Sequence, residues 1–124
     1  MEERLSFNTA AGTDAGGGGK PIVLYCDLAV DPQREQEMLD HFHRDFKPAA
    51  EKFEGFMDLK MVKLRKVIQG GPVPEPNINY RFQLTYKSEE LRQRWIASEV
   101  HQRVWPLIEN TVTNDYLVLL TDSV

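Results

Sequence analysis

Residues 79–91 read NYRFQLTYKSEEL, and this stretch decides the fold. Its first half alternates between apolar or aromatic residues and polar ones, which is the period of a β-strand with one buried face. Its second half begins with Ser88 and two glutamates, which is typical of a capped helix N-terminus with acids at the positive end of the helix dipole. A strand therefore leads directly into a helix. The strand residues that we expect to face the core are Tyr80, Phe82, Leu84 and Tyr86.

The segment before this stretch begins with a strand and a helix. Residues 22–30 (IVLYCDLAV) are rich in β-branched and aromatic residues, which favours a strand. Asp31 and Pro32 then predict the start of a helix, with Asp31 as the N-cap and the proline in the first turn. We expect the helix to be kinked at Pro48, because proline cannot donate to the helix ladder, and to end before Gly55.

The two remaining strands lie on either side of this stretch. Residues 56–68 form a strand whose apolar alternation changes phase, so we expect a β-bulge near Met61–Val62. Ser98 predicts a second cap that divides the second helical region into two pieces. Residues 113–121 end the pattern as a largely apolar strand.

The predicted order is therefore β-α-β-β-α-β, the ferredoxin-like arrangement. It gives an α+β fold with a four-stranded antiparallel sheet and both helices on one face. The other face of the sheet would then lack a cover. An apolar sheet face is rarely left in water, and a second copy of the chain related by a two-fold axis is the simplest partner. We therefore expect a homodimer.

Composition and charge define the setting of this domain. The chain has 124 residues and a net charge of −4, which argues against a nucleic-acid partner. Five of its eight glycines lie in residues 1–20, so we predict a flexible tail there and one domain at 21–124. Neither a long apolar stretch nor a secretory signal is apparent, so we expect no membrane association. The single cysteine, Cys26, indicates a reducing, cytoplasmic location.

The most informative candidate site is the stretch WIASEVHQRVWP at residues 95–106. Trp95, His101 and Trp105 lie close together across the helix break predicted at Ser98. Aromatic rings beside a polar group suit a flat, mostly apolar organic ligand, and His101 has the chemistry of a general base near neutral pH. The alternative interpretation is that both tryptophans belong to the core. The neighbouring arginines have the pattern of a solvated helix surface, namely Arg92, Arg94 and Arg103.

Three further residues are candidate pocket residues. We expect Tyr25 and Phe46 to line the same pocket, and His43 to reach its edge between helix and sheet. The alternative for His43 is a boundary position half in water. His41 lies two residues from His43 and so points to another side of the helix, and the sequence contains none of the usual metal-ligand spacings. We therefore predict no metal site.

The order of several short motifs resembles the antibiotic biosynthesis monooxygenase family. The matching segments are DP at 31–32, FKPAA at 46–50, FEGF at 53–56, YKSEEL at 86–91 and WIASEVH at 95–101. The likeness covers about residues 22–121. It implies a dimeric α/β barrel, in which two ferredoxin-like subunits meet sheet to sheet, with a ligand pocket between the helices and the sheet of each subunit.

The resemblance also implies a function. Some members are cofactor-independent monooxygenases of quinols and polyphenols, in which the substrate itself reduces dioxygen. We therefore expect a small aromatic or quinol-like substrate, no cofactor, and His101 as base or polarising group. Other members degrade haem, and Trp95 matches a tryptophan of theirs. However, their axial histidine falls where Trp105 stands, so haem degradation is the weaker hypothesis. The alternative from another class is a non-catalytic, dimeric small-molecule-binding or stress-related protein.

Overall fold

The computed structural model describes residues 20–71 and 77–124. Apart from Lys20, the predicted tail at 1–20 lies outside the described residues. Four strands and two helical regions follow one another in the predicted order. The strands are β1 (Ile22–Leu28), β2 (Phe56–Lys63), β3 (Tyr80–Tyr86) and β4 (Val118–Asp122). The α-helices are α1 (Glu35–His41), α2 (Lys47–Glu51), α3 (Glu89–Ala97) and α4 (Glu99–Glu109).

The four strands form one antiparallel sheet in the order β2-β3-β1-β4. Alternate residues of β1 and β3 are buried, and these pack under the helices on what we call the inner face. The predicted alternation of β3 is confirmed, since its four core residues are all buried. The α+β, ferredoxin-like fold with helices on one face is therefore confirmed. None of the helices in the described residues is long and apolar enough to cross a membrane.

The bulge in β2 lies elsewhere than we predicted. The register shifts between Phe56 and Asp58, so Met57 is the extra residue, and the pairing from Asp58 to Lys63 is regular. The prediction at Met61–Val62 is wrong because β2 is an edge strand. Val62 lies on the face opposite the helices, where it remains half-exposed, so its apolar character does not mark a change of phase.

The first helical region consists of several segments. Asp31 caps its first turn by accepting a hydrogen bond from the backbone N–H of Gln33 at 2.9 Å, as predicted. After α1 the chain forms a π-helical turn over Phe42–Phe46 and resumes as α2. Pro48 lies in the first turn of α2, where its missing N–H is tolerated best. The interruption predicted at Pro48 is thus present as a π turn immediately before it.

The face of the sheet opposite the helices, which we call the outer face, is open in one chain. Tyr25 and Asp27 of β1 lie on it beside Gln83 and Arg81 of β3, their pairing partners. The edge strand β4 adds Leu119, which is half-exposed. No helix of the described residues covers this surface.

Candidate functional site

A cavity of about 100 Å³ lies between the inner face of the sheet and the helices. This volume is below the range of about 300–1,000 Å³ that is usual for drug-sized ligands, so the cavity suits a small compound. Its walls are mostly apolar and aromatic. The lining residues are Leu24, Cys26, Phe46, Phe82, Leu84, Arg92, Trp95, Ile96, His101, Trp105, Tyr116 and Val118.

The break between α3 and α4 positions two of the lining residues. The Ser98 hydroxyl donates to the carbonyl of Trp95 at 2.7 Å and accepts from the backbone N–H of His101 at 3.2 Å. Ser98 thereby ends α3 and caps α4, as the sequence predicts. Because one side chain bonds to both backbones, the Trp95 indole and the His101 imidazole are held together at the cavity wall, with ring centroids 5.1 Å apart.

Phe46 is the centre of the aromatic cluster. It is the last residue of the π-helical turn and is fully buried. Its ring packs edge-on against Trp95, Trp105 and Phe82, at centroid distances of 5.8, 5.7 and 5.5 Å. Such edge-to-face pairs are the preferred aromatic geometry and add about 0.5–1.5 kcal/mol each beyond area burial. The cavity therefore has stiff aromatic walls on three sides.

His101 is uncharged in this setting. Burial and, to a smaller extent, the nearby cation of Arg92 together lower its pKa from 6.5 to about 4. Its ring lies nearly parallel to that of Trp105, with 15° between the planes and 6.4 Å between centroids. A neutral imidazole has one nitrogen that accepts a hydrogen bond or a proton. Among the described residues, no carboxylate forms a hydrogen bond with the His101 ring, and Glu109 acts on it only through its charge, so no pair of the catalytic-triad type is present there.

Trp95 carries a buried donor that lacks an acceptor. Its side chain is 0% exposed, and its indole nitrogen forms no hydrogen bond among the described residues. Leaving such a donor unpaired costs about 1–3 kcal/mol, so orphaned groups of this kind often mark a place where a ligand or water binds. The Tyr86 hydroxyl is unpaired as well, but Tyr86 does not line the cavity.

Two other polar groups of the cavity have fixed states. The Cys26 thiol stays protonated, since burial raises its pKa to about 12, which makes it a poor nucleophile. The Tyr116 hydroxyl accepts from the Trp105 indole N–H and donates to Glu109. Burial raises the pKa of Tyr116 as well. Neither group is an acid or a base near neutral pH.

Arg92 is the functional candidate that sequence reasoning missed. Its pattern on α3 resembles a solvated surface, yet its side chain is only 17% exposed and lines the cavity. Glu89 holds two of its nitrogens, Nε and Nη2, at 2.7 Å each. Arg92 lies three residues before Trp95, and residues three apart share a helix face. The three-residue spacing from Trp95 was therefore the sequence signal that could have identified Arg92 as a cavity residue.

The structure brings together four of the six predicted site residues. His101, Trp95, Trp105 and Phe46 all line the cavity. Tyr25 does not, because it alternates with Leu24 and Cys26 along β1 and so projects from the outer face. The tryptophans are both core and cavity wall, so the two alternative interpretations of them are compatible.

His43 also lies away from the cavity. Its side chain is exposed, and its ring contacts Phe42 edge-on at 5.2 Å. The π-helical turn places Phe42 and Phe46 inward, and the intervening residues His43 and Arg44 face solvent. His43 therefore occupies a solvated position, in agreement with the alternative interpretation. Among residues 20–71 and 77–124, no three His, Cys, Asp or Glu side chains cluster as metal ligands would.

Comparison with known proteins gives matches in structure but not in sequence. No protein-family model matches the chain, and a search of curated proteins found no match. Among solved structures, a conserved protein from Methanosarcina mazei Go1 has a TM-score of 0.67 at 15% identity. The alignment covers 85% of this chain and 94% of that one.

Two further solved structures are similar over almost their whole length. One is a "putative antibiotic biosynthesis monooxygenase" from Caulobacter crescentus CB15, with a TM-score of 0.66 and 12% identity, covering 86% of this chain and 92% of that one. The other is a dimeric ferredoxin-like protein of unknown function from Jannaschia sp. CCS1, with a TM-score of 0.69 and 13% identity, covering 83% and 99%. The resemblance stated from the sequence is thus confirmed at the level of the fold.

Proposed function

We propose that the protein binds a small, flat aromatic compound in the cavity and oxidises it with dioxygen. The observation that carries this proposal is the aromatic cavity itself, with the uncharged His101 in its wall. Stacked and edge-on rings suit a planar ligand. The unpaired indole N–H of Trp95 supplies a donor for a ligand oxygen, so a phenol or quinol fits better than a hydrocarbon.

The reaction that suits this site needs no electrons from elsewhere. A phenol and dioxygen give a quinone and water: one oxygen atom enters the ring, the other leaves as water, and the substrate supplies all four electrons. His101 accepts the phenolic proton and so makes the ring a better electron donor. This proton transfer from the phenol to His101 is energetically unfavourable while the pKa of His101 stays near 4. A cation beside the oxyanion, which Arg92 provides, reduces that cost.

A homodimer through the outer face is the second part of the proposal. The charges on that face are already paired: Arg81 binds Asp27 at 2.7 Å, and its guanidinium lies 5.3 Å from the centre of the Tyr25 ring. The exposed Leu117 and Leu119 supply apolar area for a second copy to bury, and the pairing of Arg81 with Asp27 leaves neither charge without a partner in such an interface. The Jannaschia protein with the same fold is dimeric. A free, buried Cys26 is consistent with a reducing, cytoplasmic location.

Oxygen consumption tests the enzyme proposal. The full chain would be incubated with a panel of dihydroxynaphthalenes in an oxygen electrode, with the rate of spontaneous oxidation subtracted. We expect turnover by the native protein and a loss of about 100-fold in kcat in His101→Gln, the usual effect of removing a general base. His43→Gln is the matched control, since that imidazole lies outside the cavity.

A non-catalytic binding protein is the second candidate. One observation favours it: no carboxylate among the described residues forms a hydrogen bond with the His101 ring, so none fixes its orientation or tautomer. Quenching of tryptophan fluorescence decides between the two, because both tryptophans of the chain line the cavity. Binding of the same compounds without oxygen uptake would establish the binding function and exclude the oxygenase. Absence of both binding and turnover would exclude the two functions together.

A further inference from the structure

We propose that Arg92 binds an acidic group of the ligand, so that the ligand class is a phenol or quinol that also carries a carboxylate. This inference rests on the proposed function, because it assigns the chemistry of the same cavity. The aromatic walls alone indicate only that the ligand is flat. The inference adds that the ligand carries a negative charge and that Arg92 determines the specificity for it.

The position of the guanidinium supports this assignment. Arg92 lies on α3, yet its side chain is only 17% exposed, so it is mostly buried rather than extended into solvent. It lines the cavity together with His101 of α4 and Cys26 of β1.

The hydrogen bonds of Arg92 leave part of the guanidinium available. Glu89 Oε1 and Oε2 accept from Nε and Nη2, which fixes the plane of the group. Among the described residues, Nη1 donates no hydrogen bond. Glu89 is itself held by Gln93 Nε2 at 2.8 Å. Arg92 is therefore oriented by the carboxylate of Glu89 and keeps N–H donors for a second acceptor.

The other polar groups of the cavity are compatible with an anion. His101 is neutral, Cys26 is a protonated thiol, and Trp95 and Tyr116 carry no charge. The lining residues include no carboxylate. The carboxylates behind them are engaged by lining groups, Glu89 by Arg92 and Glu109 by the Tyr116 hydroxyl. Arg92 is the charged residue of the lining, and mostly buried arginines that are held in plane are suited to bind carboxylates.

The test compares a charged and a neutral ligand of the same shape. The probes are 2-naphthoate and its methyl ester, titrated calorimetrically into the full chain. We expect the native protein to bind the acid at least 10-fold more tightly than the ester, as hydrogen bonds to charged groups allow. Arg92→Met should weaken binding of the acid at least 10-fold and change that of the ester less than threefold.

Arg94→Met is the matched control, since Arg94 lies on the same helix, is 58% exposed and does not line the cavity. It should bind both probes like the native protein. Should Arg92→Met fail to fold, Glu89→Gln decides. It removes the carboxylate that competes for the guanidinium, and should strengthen binding of the acid about threefold or more without affecting the ester.

Each result has one meaning. If the native protein binds acid and ester equally, or the Arg92 and Glu89 variants shift both probes alike, Arg92 does not recognise an anion, while the aromatic site stands. If the native protein binds neither naphthoate nor ester, the acidic-ligand inference is overturned together with the aromatic site. A preference for the acid that survives in Arg92→Met places the anion elsewhere and overturns the inference as well.

Discussion

The indole N–H of Trp105 donates a hydrogen bond of 3.1 Å to the hydroxyl oxygen of Tyr116, whose own proton goes to Glu109 Oε2 at 2.5 Å. These two hydrogen bonds join α4 to the segment that leads into β4. It also fixes one wall of the cavity, because both rings line it. The shape of the cavity therefore depends on a series of hydrogen bonds as well as on apolar packing.

Tyr116→Phe should destabilise the protein by about 1–3 kcal/mol, because it leaves the Trp105 N–H without an acceptor in a mostly buried position. Urea unfolding followed by circular dichroism measures the change. Tyr25→Phe is the control: its hydroxyl forms no hydrogen bond among the described residues, and the free energy of unfolding should change by less than about 0.5 kcal/mol. Equal effects of the two substitutions would contradict the role given to Tyr116.

Stability should fall as the pH drops from about 6.5 towards 4. The pKa of His101 is lowered to about 4 in the folded protein and is 6.5 in the unfolded chain. Between these values the unfolded chain binds the additional proton, so the free energy of unfolding rises with pH in this window. Above pH 6.5 both states are neutral at this residue, and its contribution is constant.

His101→Gln tests this pH dependence, because it removes the imidazole and keeps a polar side chain of similar size. Urea unfolding at pH 4.5, 5.5 and 7 should show a shallower rise with pH in the variant than in the native protein. His43→Gln, which removes an exposed imidazole, should retain most of the native rise. An unchanged rise in His101→Gln would show that other groups cause the pH dependence.

Substitution of Gly55 should be costly for two separable reasons. Its φ is +93°, and an added Cβ would lie 2.7 Å from the Cβ of Leu91. Gly70 has a similar φ of +87° with no neighbour within 4 Å, and Gly71 has neither constraint. Thermal unfolding of the three alanine variants should show little effect at Gly71, about 1–2 kcal/mol at Gly70 from the backbone alone, and the largest loss at Gly55. A Gly55→Ala variant no less stable than Gly70→Ala would show that Leu91 moves aside freely.

Local signals in the sequence predicted the type and order of the elements correctly, but two strands are shorter than predicted: β2 ends at Lys63 rather than at 68, and β4 begins at Val118 rather than at 113. Ser88, Ser98 and Asp31 cap helices as expected, because a cap depends only on residues two or three positions away. The strict alternation of β3 identified its buried face for the same reason. The order of the elements then defined the topology, since a β-α-β-β-α-β chain has few alternative arrangements.

The wrong predictions concern residues whose environment is determined by neighbours that are distant in the sequence. Both faces of β1 carry apolar or aromatic residues, so parity alone could not tell that Leu24 faces the helices and Tyr25 the outer face. Val62 lies on the outer face, so its apolar side chain is not part of the core. Arg92 has a glutamate three residues before it, a pairing common on exposed helices, and the packing of α3 against the sheet is what buries it.

Leu119→Arg should convert a dimer into monomers. Leu119 is 52% exposed in the single chain and pairs with Tyr25 on the outer face. An arginine there places an unpaired charge in the proposed interface, at a cost of several kcal/mol. Size-exclusion chromatography with light scattering should give a dimer mass for the native chain and a monomer mass for the variant. Ile68→Arg is the control, because Ile68 is 87% exposed in the loop after β2 and belongs to none of the four strands, and its variant should stay dimeric. A native chain of monomer mass would exclude the homodimer, and a dimeric Leu119→Arg variant would place the interface on another surface.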